Sequence, residues 1–141
     1  MQYVCDTGLH TWFSLESPGE AGIESQQMDH AVERYYRQTH EQATRSYVPP
    51  ASSAAFEQSI GLKGHIQRTM PMFVTLRDNE GKALVTAMLP PRGQKDPNFR
   101  CIIVGKANAD PYPQFGEAIK KLGTHLGLIL DRERCFPYRR G

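Results

Sequence analysis

Residues 72–89 read MFVTLRDNEGKALVTAML, and this stretch sets the fold class. Met72, Val74 and Leu76 alternate with the side chains between them, the period of a strand with one buried face. Residues 82–89 supply a second apolar run. The link, Asp78-Asn79-Glu80-Gly81, is polar and ends in a glycine, so the two runs read as a hairpin. A hairpin implies an antiparallel sheet, and the rest of the chain is read around it.

Upstream, a helical pattern runs from about residue 25 to 46. Met28, Val32, Tyr35, Thr39, Gln42 and Ala43 form one stripe at helical spacing. Glu33–Arg37 and Glu41–Arg45 are i,i+4 pairs in the favourable order, suited to a solvated side. Pro49-Pro50 ends the helix. Ser17-Pro18-Gly19-Glu20 has the form of a helix entrance: a cap, a proline in the first turn, and glutamate three residues after the cap. Gly22 delays the helix and Ser25 offers a second start. Ser52-Ser53 caps a second, shorter helix with Phe56 and Ile60 one turn apart, limited by Gly61 and Gly64.

Near the start, residues 2–5 and 9–15 read as strands. On the second, Leu9, Thr11, Phe13 and Leu15 share one face, and His10, Trp12 and Ser14 the other. Between them lies Asp6-Thr7-Gly8. Downstream, the polar loop 90–98 leads to an apolar strand over 99–105, where Cys101 is in phase with Phe99 and Ile103 and belongs to the core. The last helix covers 113–126, with Phe115, Ile119, Leu122 and Leu126 as its stripe and Gly127 as its stop. Residues 128–130 extend it or begin another strand.

The order is ββααβββα. Helices grouped between strand runs, without βαβ alternation, indicate an α+β domain on an antiparallel sheet of about five strands, with the helices packed on one face. Residues 1–130 form a single domain. Residues 131–141 form a basic, partly ordered tail with four arginines.

A chain of 141 residues and 15.9 kDa is one domain's worth. A charged fraction of 23% and a hydrophobic fraction of 39% describe an ordinary globule. No apolar run approaches the roughly 20 residues of a membrane span. Met1-Gln2-Tyr3 shows no basic leader, so a cytoplasmic protein is expected. Cys5, Cys101 and Cys135 are odd in number and widely spaced, which indicates reduced thiols rather than a disulfide framework. No CxxC, HxxxH or CxxH pair marks a metal site. Gly105-Lys106 lacks the spaced glycines and the Ser/Thr of a phosphate loop, and no cofactor is expected.

The chemistry-bearing residues each carry a competing structural reading. Asp-Thr-Gly is the working triplet of aspartic proteases, but that chemistry needs two carboxylates sharing a proton. A turn, with Asp6 bonding the backbone two residues on and Gly8 at positive φ, explains the triplet better. Cys5 and His10 face each other across the first hairpin, the one arrangement that offers a thiol nucleophile. His30 and His40 stand roughly 15 Å apart along the helix and cannot share a metal. Tyr36, Arg37 and His40 share a helix side outside the core stripe. With Arg34 and Tyr47 they form the candidate ligand or partner contact, because tyrosine and arginine are enriched at interfaces. A homodimer through this side is the default.

Charge is unevenly spread. Residues 1–48 hold seven acids against three bases, and residues 49–141 fourteen bases against eight acids. Lys120, Lys121, Arg132, Arg134, Arg139 and Arg140, interleaved with Phe136 and Tyr138, form the alternative contact, one to nucleic acid. Against it, the pI near 8.5 falls below the level of about 9 usual for such domains. The leading expectation is a small binding or regulatory module without its own catalytic site, contacting a protein or a small molecule. The alternatives are a nucleic-acid-associated protein and a small Cys/His-dependent enzyme.

Overall fold

The computed structural model describes residues 1–51 and 54–139. The strands are β1 (Gln2–Asp6), β2 (Thr11–Ser14), β3 (Met72–Arg77), β4 (Ala83–Leu89) and β5 (Ile102–Val104). They form one five-stranded antiparallel meander in sequence order. The helices α1 (Pro18–Met28), α2 (Val32–Ser46) and α3 (Ala55–Thr69) lie between β2 and β3, and α4 (Tyr112–Leu126) follows β5.

The two turns read from sequence form as local chemistry dictates. The Asp6 carboxylate accepts the Gly8 N–H at 2.7 Å, and Gly8 has φ 97°. The Asp78 carboxylate accepts the N–H groups of Glu80 and Lys82, each at 2.9 Å, before Gly81 turns the chain at φ 80°. The β3–β4 pairing places Val74 opposite Ala87 and Thr75 opposite Thr86.

The α+β class holds, but the helices cover both faces of the sheet, not one. Every position of β3 is buried. Val74 and Leu76 join Val85, Ile103 and the α4 side chains Ile119 and Leu122 in one cluster. Phe73 joins Leu15, Ala21, Val32 and Tyr36 in the other, beneath α1 and α2. Polar residues alternating with apolar ones read as a wet face. Here Thr75, Arg77 and Thr86 are buried because α1 brings them a partner.

The α4 face closes as its pattern requires. Ala118, Ile119 and Leu122 are buried. Trp12 is fully buried and its Nε1–H donates to the Ala118 carbonyl at 2.9 Å. Gly127, at φ 70°, reverses the chain so that the Leu128 N–H reaches the Gly123 carbonyl at 2.8 Å.

The helical pattern read as one element is two. Asp29 adopts the left-handed region, φ 52°, and stops α1. The Ser25 hydroxyl then accepts the Glu33 N–H at 2.7 Å in the first turn of α2. The break rotates the stripe. Tyr36 lies on the sheet, only 4% exposed, while Tyr35 is 46% exposed.

The segment expected to be a partly ordered tail is built into the fold as far as Arg139. Phe136 bonds both ways to β5's entry: its N–H donates to Cys101 at 2.8 Å, and its carbonyl accepts from Ile103 at 3.1 Å. Cys135 is fully buried. This segment covers the β5 edge that would otherwise offer free backbone groups. Ser52-Ser53 and Arg140 lie outside the described residues.

α3 differs from the other helices. None of its fifteen residues is buried. A Cβ at Gly61 would meet the Tyr47 hydroxyl, so a larger residue there requires the Tyr47 ring to move. Gly61 and Gly64 each cost a helix about 1 kcal/mol relative to alanine. α3 is held by its contacts with α2, by Ile66 against the α1–α2 cluster, and by the Gln94 side chain, which donates to the Arg68 carbonyl at 2.9 Å.

Candidate functional site

The interior beneath α1 contains a saturated polar chain. Glu24 of α1 is fully buried and its carboxylate pairs with the Arg77 guanidinium of β3. Arg77 also donates to the Thr75 hydroxyl at 3.1 Å and to the Gly81 carbonyl at 3.0 Å. The second Glu24 oxygen accepts the Thr86 hydroxyl. That hydroxyl has one proton, so at its 2.9 Å contact with His30 Nε2 it must accept. The assignment agrees with the other side of the ring, where Nδ1 accepts the Val32 N–H at 3.4 Å. His30 is therefore the neutral Nε2–H tautomer. Burial lowers its pKa, against the opposing pull of Glu24 and Asp29.

His30 and Thr86 form one corner of a cleft of about 570 Å³ on the α1–α2 side of the sheet. Met88, Ile102 and Val104 give it an apolar floor, and Val32 and Tyr35 form its helical wall. Phe136 closes the far side. The Arg100 guanidinium lies over the Phe136 ring at 4.1 Å from its centre. Among the described residues no carboxylate pairs with Arg100. The cleft thus combines an apolar body, a fixed polar corner and, at its rim, a cation stacked on Phe136 with no carboxylate partner among the described residues.

The contact residues expected from sequence lie elsewhere and divide. Tyr36 and His40 stack with ring centres 6.2 Å apart and line a second groove of about 710 Å³ between α2, α3 and the start of β3. Tyr36 also packs on Phe73 at 5.1 Å. Burial chiefly, then Glu16 and Glu20, push its phenol up to about 12, with Arg92 opposing. In this groove Arg92 is already paired with Glu16 at 2.6 Å, while Lys63 of α3 also lines it without a carboxylate partner among the described residues. Arg37 is held by Glu33 at 3.1 Å on the solvent side, where Arg34 is also exposed. Tyr47 packs on His65 at 5.4 Å. The five residues do not form one site, and Tyr36 is a core residue instead of an outward-facing contact.

The surroundings of the thiol arrangement do not favour a thiolate. Cys5 is buried, and burial followed by the Asp6 charge raises its pKa. A nucleophilic thiol needs the reverse. The His10 and Phe115 rings meet edge to face, with centres 5.9 Å apart. Cys101 is half-buried rather than in the core and is pushed up to about 12, mainly by burial.

The basic groups are also largely engaged. Lys121 donates to the Thr7 carbonyl at 2.8 Å. Arg132 pairs with Asp110 at 2.8 Å and covers the Tyr138 ring at 4.5 Å. Phe136 carries Arg100 on one face and has Arg139 at 5.9 Å. The aromatics expected to stack on bases already hold cations of their own chain. Lys120 is exposed on α4, and Arg134 is exposed beside a smaller cleft.

His30, Thr86 and Arg100 carry the site, and sequence reasoning assigned none of them to it. The signal available was the run of polar positions Thr75, Arg77 and Thr86 on the second face of a hairpin. Their alternation fits a wet face as well as a buried network. Among the described residues no group of His, Cys, Asp and Glu is placed to hold a metal ion, and no helix is long and apolar enough to cross a membrane. No protein-family model, curated protein or solved structure matches the chain.

Proposed function

We propose that the protein is a non-catalytic module that binds a small molecule with a flat apolar body and one anionic group, in the cleft beside His30. The observation that carries this reading is the Arg100 guanidinium at the rim of an apolar cleft, stacked on Phe136 and without a carboxylate partner among the described residues. A cleft of about 570 Å³ is in the size range of ligand sites, which combine apolar walls with few polar anchors. A carboxylate on Arg100 would make a charge-assisted contact, stronger than a neutral one. The apolar body would lie over Met88, Ile102 and Val104.

In this reading the polar chain is a structural support for the cleft. Each hydrogen-bonding atom of Glu24, Thr86 and His30 has a partner within the fold. Glu24 is neutralised by Arg77, so it offers no free base, and the Thr86 proton is committed to Glu24. The chain holds the cleft's corner rigid and leaves the ligand to be recognised by shape and by Arg100.

Calorimetric titration with naphthalene carboxylate and with its carboxamide tests the reading. The acid should bind and the amide should bind at least about tenfold more weakly, the scale of a hydrogen bond to a charged group. Arg100→Gln should remove that discrimination, and Ala31→Trp, which fills the cleft mouth, should abolish binding of both. Equal affinity for acid and amide, or an Arg100→Gln variant that binds like wild type, refutes the proposal.

A further inference from the structure

We infer that α3 is a pairing surface for a second copy of this chain, with two α3 helices packed antiparallel about a twofold axis. The helix buries no residue of its own, yet Phe56 and Ile60 are 75% and 58% exposed one turn apart. Phe56, Ile60 and Gly64 recur every four residues and so share a side of the helix. Among the described residues, the side-chain atoms within 4 Å of where a Cβ at Gly64 would stand belong to Arg68, the nearest at 3.1 Å. A large side chain from another helix can seat there once that flexible arginine moves.

The occupant is set by charge. The first turn of α3 carries Glu57 and the last turn Arg68, with Lys63 between. None of these three has an ion-pair partner among the described residues. Along the exposed stripe Glu57 stands toward one end and Arg68 at the other, with Ile60 and Gly64 between them, an order complementary to itself when reversed. With the axis near residue 62, Ile60 of each copy meets Gly64 of the other, and Glu57 meets the turn containing Gln67 and Arg68. An isologous contact of this kind closes as a dimer and leaves no open end. Lys63 and Gln67 also line the groove containing Tyr36, so the pairing surface borders that groove, and it shares no residue with the cleft beside His30.

Light scattering coupled to size exclusion, at tens of micromolar, tests the inference with purified protein. Wild type should run at twice the 15.9 kDa chain mass. Glu57→Arg and Arg68→Glu should each raise the dimer dissociation constant about tenfold or more, because like charges facing across an interface are strongly unfavourable. The double variant Glu57→Arg/Arg68→Glu should restore the dimer, which a merely structural role for either residue would not predict. Far-UV circular dichroism confirms that each variant is folded. A monomeric wild type overturns the inference and leaves the stripe to a different protein. A dimer indifferent to both single reversals also overturns it, since the pairing surface then lies elsewhere.

Discussion

The Glu24 carboxylate and the Arg77 guanidinium meet inside the domain, one carried by the first helix and the other by the central strand. The pair is almost wholly removed from water and is completed by Thr75, Thr86 and the Gly81 carbonyl. Removing one partner strands a buried charge, which costs on the order of 3–5 kcal/mol, whereas an apolar pair of similar volume can be neutral. Glu24→Ala should therefore lower the denaturant midpoint sharply, and Glu24→Leu/Arg77→Met should recover much of the loss. A double variant as unstable as Glu24→Ala would show that the network does more than compensate its own charges.

Stability should fall on mild acidification through His30. Burial holds its folded pKa below the ordinary value of 6.5. The unfolded chain then takes up a proton first, so the stabilisation is complete above about 6.5 and is lost as pH falls through and below it. Denaturant midpoints between pH 8 and pH 5 should drop more steeply for wild type than for His30→Gln. Parallel curves for the two proteins would contradict the assignment.

The thiols should resist alkylation in the native state. Burial raises the pKa of Cys5, Cys101 and Cys135 alike. Iodoacetamide near neutral pH should label all three only slowly, and at full rate in denaturant. A single thiol reacting in the folded protein at the rate of free cysteine would reopen the enzyme reading.

Two core substitutions test the two-faced sheet. Leu122→Ala, on the α4 side, and Phe73→Ala, under α2, both remove fully or nearly fully buried side chains. Losses of about 2–5 kcal/mol are expected for the leucine and about 3–5 for the phenylalanine. A near-neutral result for either, measured by urea denaturation, would mean that its face of the sheet is not packed. Tyr36→Glu should likewise unfold the protein instead of dividing a dimer, because the ring rests on Phe73.

What the sequence determined by itself is local. The Asp6–Gly8 turn, the 72–89 hairpin and the Gly127 stop of α4 each depend on a bond between residues at most five apart or on one glycine's φ. Periodicity likewise identified Ile119 and Leu122 as core, since a helix has only one side to offer the sheet. The tertiary structure decided what each second face meets. Thr75, Arg77 and Thr86 carry the same alternating pattern whether they face water or a buried carboxylate. Glu24 reaches Arg77 across 53 positions and Thr86 across 62. The stop at Asp29, with no glycine or proline to announce it, turned Tyr36 inward and left Tyr35 facing the cleft. Such outcomes depend on desolvation and partner supply, and those exist only once distant segments are packed together.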